Sequence, residues 1–317
     1  MNKHLGVIFC FIPLSGCATI GGLKPPKTPA EQASNYGYIP LDPLAVNQLG
    51  IAESCKESNR QDVPILEALP DLAIRFAVAE FSAGGELTFG PSKFTTKGKA
   101  YRAVLDYVNV DVVPVEFEVR KRVGGNWFPL SENTSLRGDP RVEAYEAFIT
   151  RAGEIDFTSK RKINLAASDG SDKKTFERVT FPVYVGVGLR LSADIRALRG
   201  DINLSGLGVI GAQADAKNLT GTLTVQTLGV TGKSIATSLP LPSKLDQTTI
   251  ENGILAIGTS RAILYNTGAD QVVSNPRVVG LYSPVGSDPR LINALYSELS
   301  GIRVPWPRPC KEVKPTP

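Results

Sequence analysis

Three short stretches place reactive or phosphate-binding residue types at spacings that known chemistries use. Gly206-Leu207-Gly208-Val209-Ile210-Gly211 has the G-x-G-x-x-G spacing that lets backbone amides approach a pyrophosphate. That chemistry needs a full helix after the glycines and an acidic residue at the end of the next strand. Only Ala212 to Asn218 precede the next strand-like run, and Gln226 to Gly232 contains no carboxylate, so a glycine-rich turn into a short connecting helix is expected. Gly229-Val230-Thr231-Gly232-Lys233-Ser234 ends like a phosphate-binding loop, but the first glycine should stand at 227, where the chain has Thr227. A polar hairpin turn is the better expectation. Ser171-Asp172-Lys173-Lys174 has the S-x-x-K spacing of a serine nucleophile with a lysine base. An activated serine needs a desolvated lysine, and Ser168-Asp169-Gly170 makes this a polar loop. The S-D-N and K-T-G companions are missing downstream, and Asp169 and Asp172 lack the spacing of an EF-hand loop. Neither a cofactor nor a metal is expected.

The amino terminus carries the most specific signal. Lys3 is followed by the apolar run Leu5 to Pro13, which meets Leu14-Ser15-Gly16-Cys17. As a helix that run reaches only ~14 Å at ~1.5 Å per residue, too short for a ~30 Å hydrocarbon core. A basic start, a short apolar core and small residues before a cut describe a secretory signal. Leu14-Ser15-Gly16-Cys17 resembles the lipobox of bacterial lipoproteins, a resemblance that covers the leader alone. It implies that residues 1–16 are a signal peptide removed after Gly16, and that Cys17 carries diacylglycerol on sulfur and, in most Gram-negative members, a further acyl chain on its amine. An uncleaved anchor, or an ordinary signal with a coincidental Cys17, is the alternative. Two or three chains anchor durably, each buried CH₂ adding ~0.8 kcal/mol. By the same resemblance, Ala18 fits delivery to the outer membrane of a Gram-negative envelope, with membrane lipid as the first partner.

Residues 17–37 read as the lipidated cysteine and a tether, because the prolines of Lys24-Pro25-Pro26-Lys27-Thr28-Pro29 exclude helix and hold the segment extended. At roughly 3.1 Å per residue it spans up to ~60 Å. Of the four cysteines, Cys10 falls in the leader and Cys17 takes lipid, leaving Cys55 and Cys310. In an oxidising compartment these two form a natural disulfide, with two free thiols as the alternative.

The chain has a single histidine, His4, inside the leader. The mature protein then has no imidazole for acid–base, triad or zinc chemistry. With 35 basic and 31 acidic residues the net charge is only +4, and no nucleic-acid partner is expected. The expected role is a lipid-anchored envelope protein that binds or assembles with another envelope component and is not an enzyme. One alternative is a subunit of an oligomeric outer-membrane pore or secretion channel. A carboxylate-dependent hydrolase is the second.

The elements that would carry such a role give an α+β fold, with β-rich antiparallel sheet and a few packing helices. Val183 to Ile195 alternates strictly, its odd positions apolar and its even positions mostly polar or glycine, which predicts a half-buried strand. Leu219 to Thr227 alternates likewise, and so does Val113 to Arg120, where Pro114 suggests a sheet edge. Residues 72–81, 86–94, 101–110 and 176–182 are further strand candidates. Asp288-Pro289 with Leu291, Leu295 and Leu299 predicts a capped helix that Gly301 can close. Helices are also expected over 140–151, with Val142, Tyr145, Phe148 and Ile149 on one side, and over 246–257. Loops are expected near 122–139, 166–175 and 238–245, with Arg120-Lys121-Arg122 and Lys160-Arg161-Lys162 as solvated loop charge. A soft boundary near 182 divides a β-rich region, 38–182, from an α+β region, 183–317, unless the two form one domain. Pro305-Trp306-Pro307-Arg308-Pro309 fits neither a helix nor a central strand, and Trp306 is expected to dock against the body.

Overall fold

The structure is a computed structural model that describes residues 37–49, 60–63, 65–69, 71–81, 87–89, 100–132, 140–157, 175–197, 219–231, 243–244, 273–285, 288–307 and 310–312. Two very long strands form its axis. β5 (Ala100–Val123) and β9 (Glu177–Ala197) pair antiparallel from Ala100↔Arg196 to Val119↔Glu177 without a register shift. The sequence contains the reason for that register. Arg102 and Asp106 share one face of β5, and Arg190 and Asp194 share one face of β9, both in the order Arg-x-x-x-Asp. Running antiparallel, the strands set Arg102 opposite Asp194 and Asp106 opposite Arg190, and a slip by two residues would put both pairs out of line.

Each long strand takes two neighbours in succession along its outer edge. β3 (Asp71–Phe81) and then β7 (Val142–Ala152) line β5, while β14 (Arg277–Tyr282) and β10 (Leu219–Leu228) line β9. Pro114 stands directly opposite Pro182 in the central ladder. Pro114 therefore lies in a central strand and not at an edge. Neither proline has an N–H, so the two form a pair that exchanges no hydrogen bonds, and the Pro114 carbonyl points outward to the Gly153 amide at 2.9 Å. It is tolerated because it falls in the gap where β3 has ended and β7 has yet to begin.

β1 (Tyr38–Leu49) pairs antiparallel with β14 and parallel with β15 (Val304–Pro307), giving the order β15-β1-β14-β9-β5-β3-β4 with β4 at Leu87–Phe89. β6 (Asn126–Pro129), β8 (Ile155–Asp156) and β12 (Ser243–Lys244) complete this sheet. Two small ladders lie apart from it: β2 (Arg60–Asp62) with β16 (Cys310–Glu312), and β11 (Val230–Thr231) with β13 (Val273–Ser274). Among the described ladders only β1–β15 is parallel. β9 runs unbroken through residues 182 and 183, so one sheet draws strands from both sides of that position.

Among the described residues the helical content is one single turn, α1 (Ile65–Ala68), and one full helix, α2 (Pro289–Gly301). α2 starts as its sequence predicts: the Asp288 side chain accepts from the Arg290 amide, and proline occupies the first turn. Leu291, Leu295 and Leu299 are buried against a core that includes Val115, Phe117, Val183, Val185 and Trp306. The helix includes Gly301 and ends at Ile302 in an extended conformation, so no left-handed glycine closes it. The fold is β-rich α+β.

The segment 140–151, expected as a helix, is strand β7. Its pairing with β5 shifts register twice, between Glu116 and Phe117 and between Arg122 and Val123. Each bulge inserts one residue and breaks the period-two pattern, leaving apolar residues at the three- and four-residue spacing of a helix. Arg120-Lys121-Arg122 likewise belongs to β5 and not to a loop. Lys121 is 1% exposed and its ammonium donates to the Leu130 carbonyl at 2.6 Å. Arg120 joins Glu146 at 2.5 Å and stacks over the rings of Trp127 and Phe176. Trp306 is fully buried, its indole N–H donating to Asp111 at 3.0 Å, so the proline-flanked tail docks as expected. The expected helix at 246–257 lies outside the described residues.

Candidate functional site

Val183, Val185, Val187, Leu189, Leu191 and Ala193 are buried, as the alternation predicts, but the middle of the opposite face of β9 is covered too. Gly186, Gly188 and Arg190 are all buried there. Arg190 joins Asp106 through two parallel bonds, Nε to Oδ1 at 2.6 Å and Nη2 to Oδ2 at 2.7 Å. Tyr38 donates its hydroxyl to the same carboxylate. Asp106 is completely buried, and Arg190 and Tyr38 nearly so.

Local sequence makes this cluster possible. β1 breaks register between Pro40 and Leu44, and β14 breaks register between Val278 and Gly280. A bulge leaves a carbonyl without its ladder partner. Arg190 fills both vacancies, Nη1 donating to Leu41 O at 2.6 Å and Nη2 to Val279 O at 2.7 Å. In a flat sheet Tyr38 on β1 would stand three strand spacings of about 4.8 Å from β5, beyond the length of a tyrosine. The sheet must therefore curl, and the glycines permit it. A Cβ on Gly188 would stand 2.1 Å from Tyr107 O, one on Gly186 2.4 Å from Asn109 O, and one on Gly280 2.6 Å from the Tyr38 ring.

Immediately outside Arg190 lies a cavity of about 480 Å³. β1 supplies Ile39 to Asp42, the strands supply Arg102, Ser192, Asp194, Thr224 and Gln226, and α2 supplies Asn293 and Tyr296. Arg102 and Asp194 grip each other bidentately at 2.6 and 2.8 Å, each side chain more than a third exposed. Such a pair contributes ~0.2–1 kcal/mol to stability, so holding the wall in shape is its larger effect.

Electrostatics separate the buried cluster from the open wall. Burial, reinforced by the Asp106 charge, holds the Tyr38 phenol well above its usual value and keeps it a neutral donor. For Arg190 burial opposes the charge, but the hydrogen bonds and charge of Asp106 outweigh it, and the guanidinium is held more firmly protonated than usual. The hydrogen bond to Asp194 raises Arg102 as well, with Asp42 adding to it. Burial and then Asp42 raise the Tyr296 phenol, so its hydroxyl keeps its proton.

Among the described residues no three His, Cys, Asp or Glu side chains gather as a metal site would require. Leu14, Ser15, Gly16, Cys17 and Cys55 lie outside the described residues, as do Gly206–Gly211, Ser171 and Lys174. Gly229 sits in a bend with φ +65 whose carbonyl accepts from Asn275 at 2.7 Å, a turn ahead of β11. The backbone of Cys310 opens β16, opposite Asp62 of β2. Tyr38, Asp106, Arg190 and the cavity residues were not singled out from the sequence. The available signal was the repeated Arg-x-x-x-Asp on two alternating strands.

Fold and site define a β-rich α+β protein in which one helix packs on a strongly curled sheet beside an open polar cavity. No family model matches the chain, and neither a curated protein nor a solved structure matches it.

Proposed function

We propose that the chain is a lipid-anchored protein of a Gram-negative envelope, held by acylated Cys17, and that its body acts by binding. The observation that carries the anchor is Leu14-Ser15-Gly16-Cys17 directly after a short apolar run. Binding is supported by the cavity, where polar side chains from β1, the long strands and α2 converge on one space. The cations that line it are held in pairs: Arg190 is consumed by Asp106 and two bulge carbonyls, and Arg102 by Asp194. A packed body, rather than a pore, is supported by α2 lying against β7 and β1 and burying the apolar residues of the sheet. Mass spectrometry of the mature amino terminus tests the anchor, and an acylated Cys17 is the expected result. Co-purification from detergent-extracted membranes then identifies the envelope component bound. An unmodified amino terminus elsewhere in the chain would overturn the anchor.

A further inference from the structure

We infer that the cavity between β1, the β5–β9–β10 surface and α2 is a saccharide site, taking an uncharged, hydroxyl-rich ligand such as a glycan end or branch. The inference rests on reading this cavity as the binding site of the protein. Its first support is the chemistry of the free groups. Ser192, Thr224, Gln226, Asn293 and Tyr296 all line the space, and each carries a hydroxyl or amide that both donates and accepts. Among the described residues, none of these side chains is hydrogen-bonded to another protein group. A sugar hydroxyl also donates and accepts, so five such groups around one space match a polyol better than they match an ion.

Charge supplies the second support. The lining cations are both engaged, Arg190 with Asp106 and Arg102 with Asp194, and Asp42 adds a further carboxylate at the rim. No cation is left over to hold a phosphate or a carboxylate ligand, and Asp42 repels one. A carboxylate accepts two neighbouring hydroxyls readily, which suits Asp42 to a sugar ring. Shape is the third. A volume of about 480 Å³ accommodates a small saccharide, and Tyr296 and Ile292 of α2 with Ile39 and Leu41 of β1 give the ring an apolar wall.

The test uses the full chain as the cell makes it, extracted in detergent, titrated calorimetrically with a tetramer of β-1,4-linked N-acetylglucosamine, with maltotetraose, and with inorganic phosphate. Binding of either tetramer, with phosphate inert, is expected. A response to the first alone points to a cell-wall glycan, and to the second to a neutral hexose polysaccharide. Asn293→Ala and Gln226→Ala, both at exposed positions, should each weaken binding about tenfold, or ~1.4 kcal/mol, with unchanged thermal unfolding. No heat from either tetramer at millimolar concentration, binding indifferent to both substitutions, or phosphate binding as well as sugar would each overturn the inference. The mass of the same preparation reports on Cys17. An acylated chain that ignores sugar loses this inference alone, and an unacylated chain that binds sugar loses the anchor alone.

Discussion

Asp106 and Arg190 face each other across the central ladder in the most buried ion pair of the described residues, and four positions further along Arg102 and Asp194 repeat the pair at the surface with the charges exchanged. The same chemistry has different consequences at the two depths. Inside, the pair is tied to two bulge carbonyls and a tyrosine, so that four strands meet at one guanidinium. Outside, water competes for every bond.

Arg190→Met should therefore cost about 3–5 kcal/mol in urea unfolding, because it leaves the Asp106 carboxylate buried and unpaired. Arg102→Met should cost no more than about 1 kcal/mol. Replacing both members, as Arg190→Met with Asp106→Leu, should recover much of the first loss, since the lone buried charge disappears. Equal effects at the two sites would show that the inner cluster does not hold the strands.

Alkaline pH should expose the Tyr38 bond. The folded chain holds the Tyr38 proton more tightly than the unfolded chain, whose phenol titrates near 10.0. Its contribution is complete below that value and is lost as pH rises through the higher folded value. The stability difference between the native chain and Tyr38→Phe should thus be largest near neutrality and shrink in alkali. A constant difference across that range would contradict the assignment.

Glycine substitutions test the curl of the sheet. Gly188→Ala and Gly280→Ala should both destabilise, the first more, since it meets backbone at 2.1 Å and the second meets a tyrosine ring that can shift. Gly301→Ala meets nothing within 4 Å at the end of α2 and should stabilise by about 0.5–1 kcal/mol through helix propensity. Thermal unfolding of the three variants ranks them, and the opposite order would mean the sheet is flatter than described.

The proposed export predicts a disulfide between Cys55 and Cys310. Cys55 lies outside the described residues, while β16 brings the Cys310 backbone alongside β2, which starts five positions after Cys55. Non-reducing peptide mapping should recover the two cysteines in one linked species, and reduction should cost up to ~5 kcal/mol. Alkylatable thiols at both positions would refute the bridge.

Where local pattern alone decides, the sequence was readable. Strict alternation located β9 and β10, and Asp288-Pro289 with leucines four residues apart located α2, because period and capping depend only on near neighbours. The apolar spacing of 140–151 reads as a helix because two bulges, set by the partner β5, scramble the alternation of β7. β1 has no comparable local signal: Pro40 and Pro43 interrupt its alternation, and only a bulge against β14 accommodates them within the strand.

The sequence by itself determined that β9 and β10 are extended, where α2 begins, and the paired Arg-x-x-x-Asp spacing that sets the β5–β9 register. Only the tertiary structure decided that the middle of the polar face of β9 would be covered, that Arg190 would close two bulges in other strands, and that side chains from β1, β9, β10 and α2 would meet around one cavity. The physical reason is distance along the chain. Alternation says which side of a strand a residue occupies. What lies over that side depends on the curl of the sheet and on segments far away in sequence, as Tyr38 over Asp106 shows.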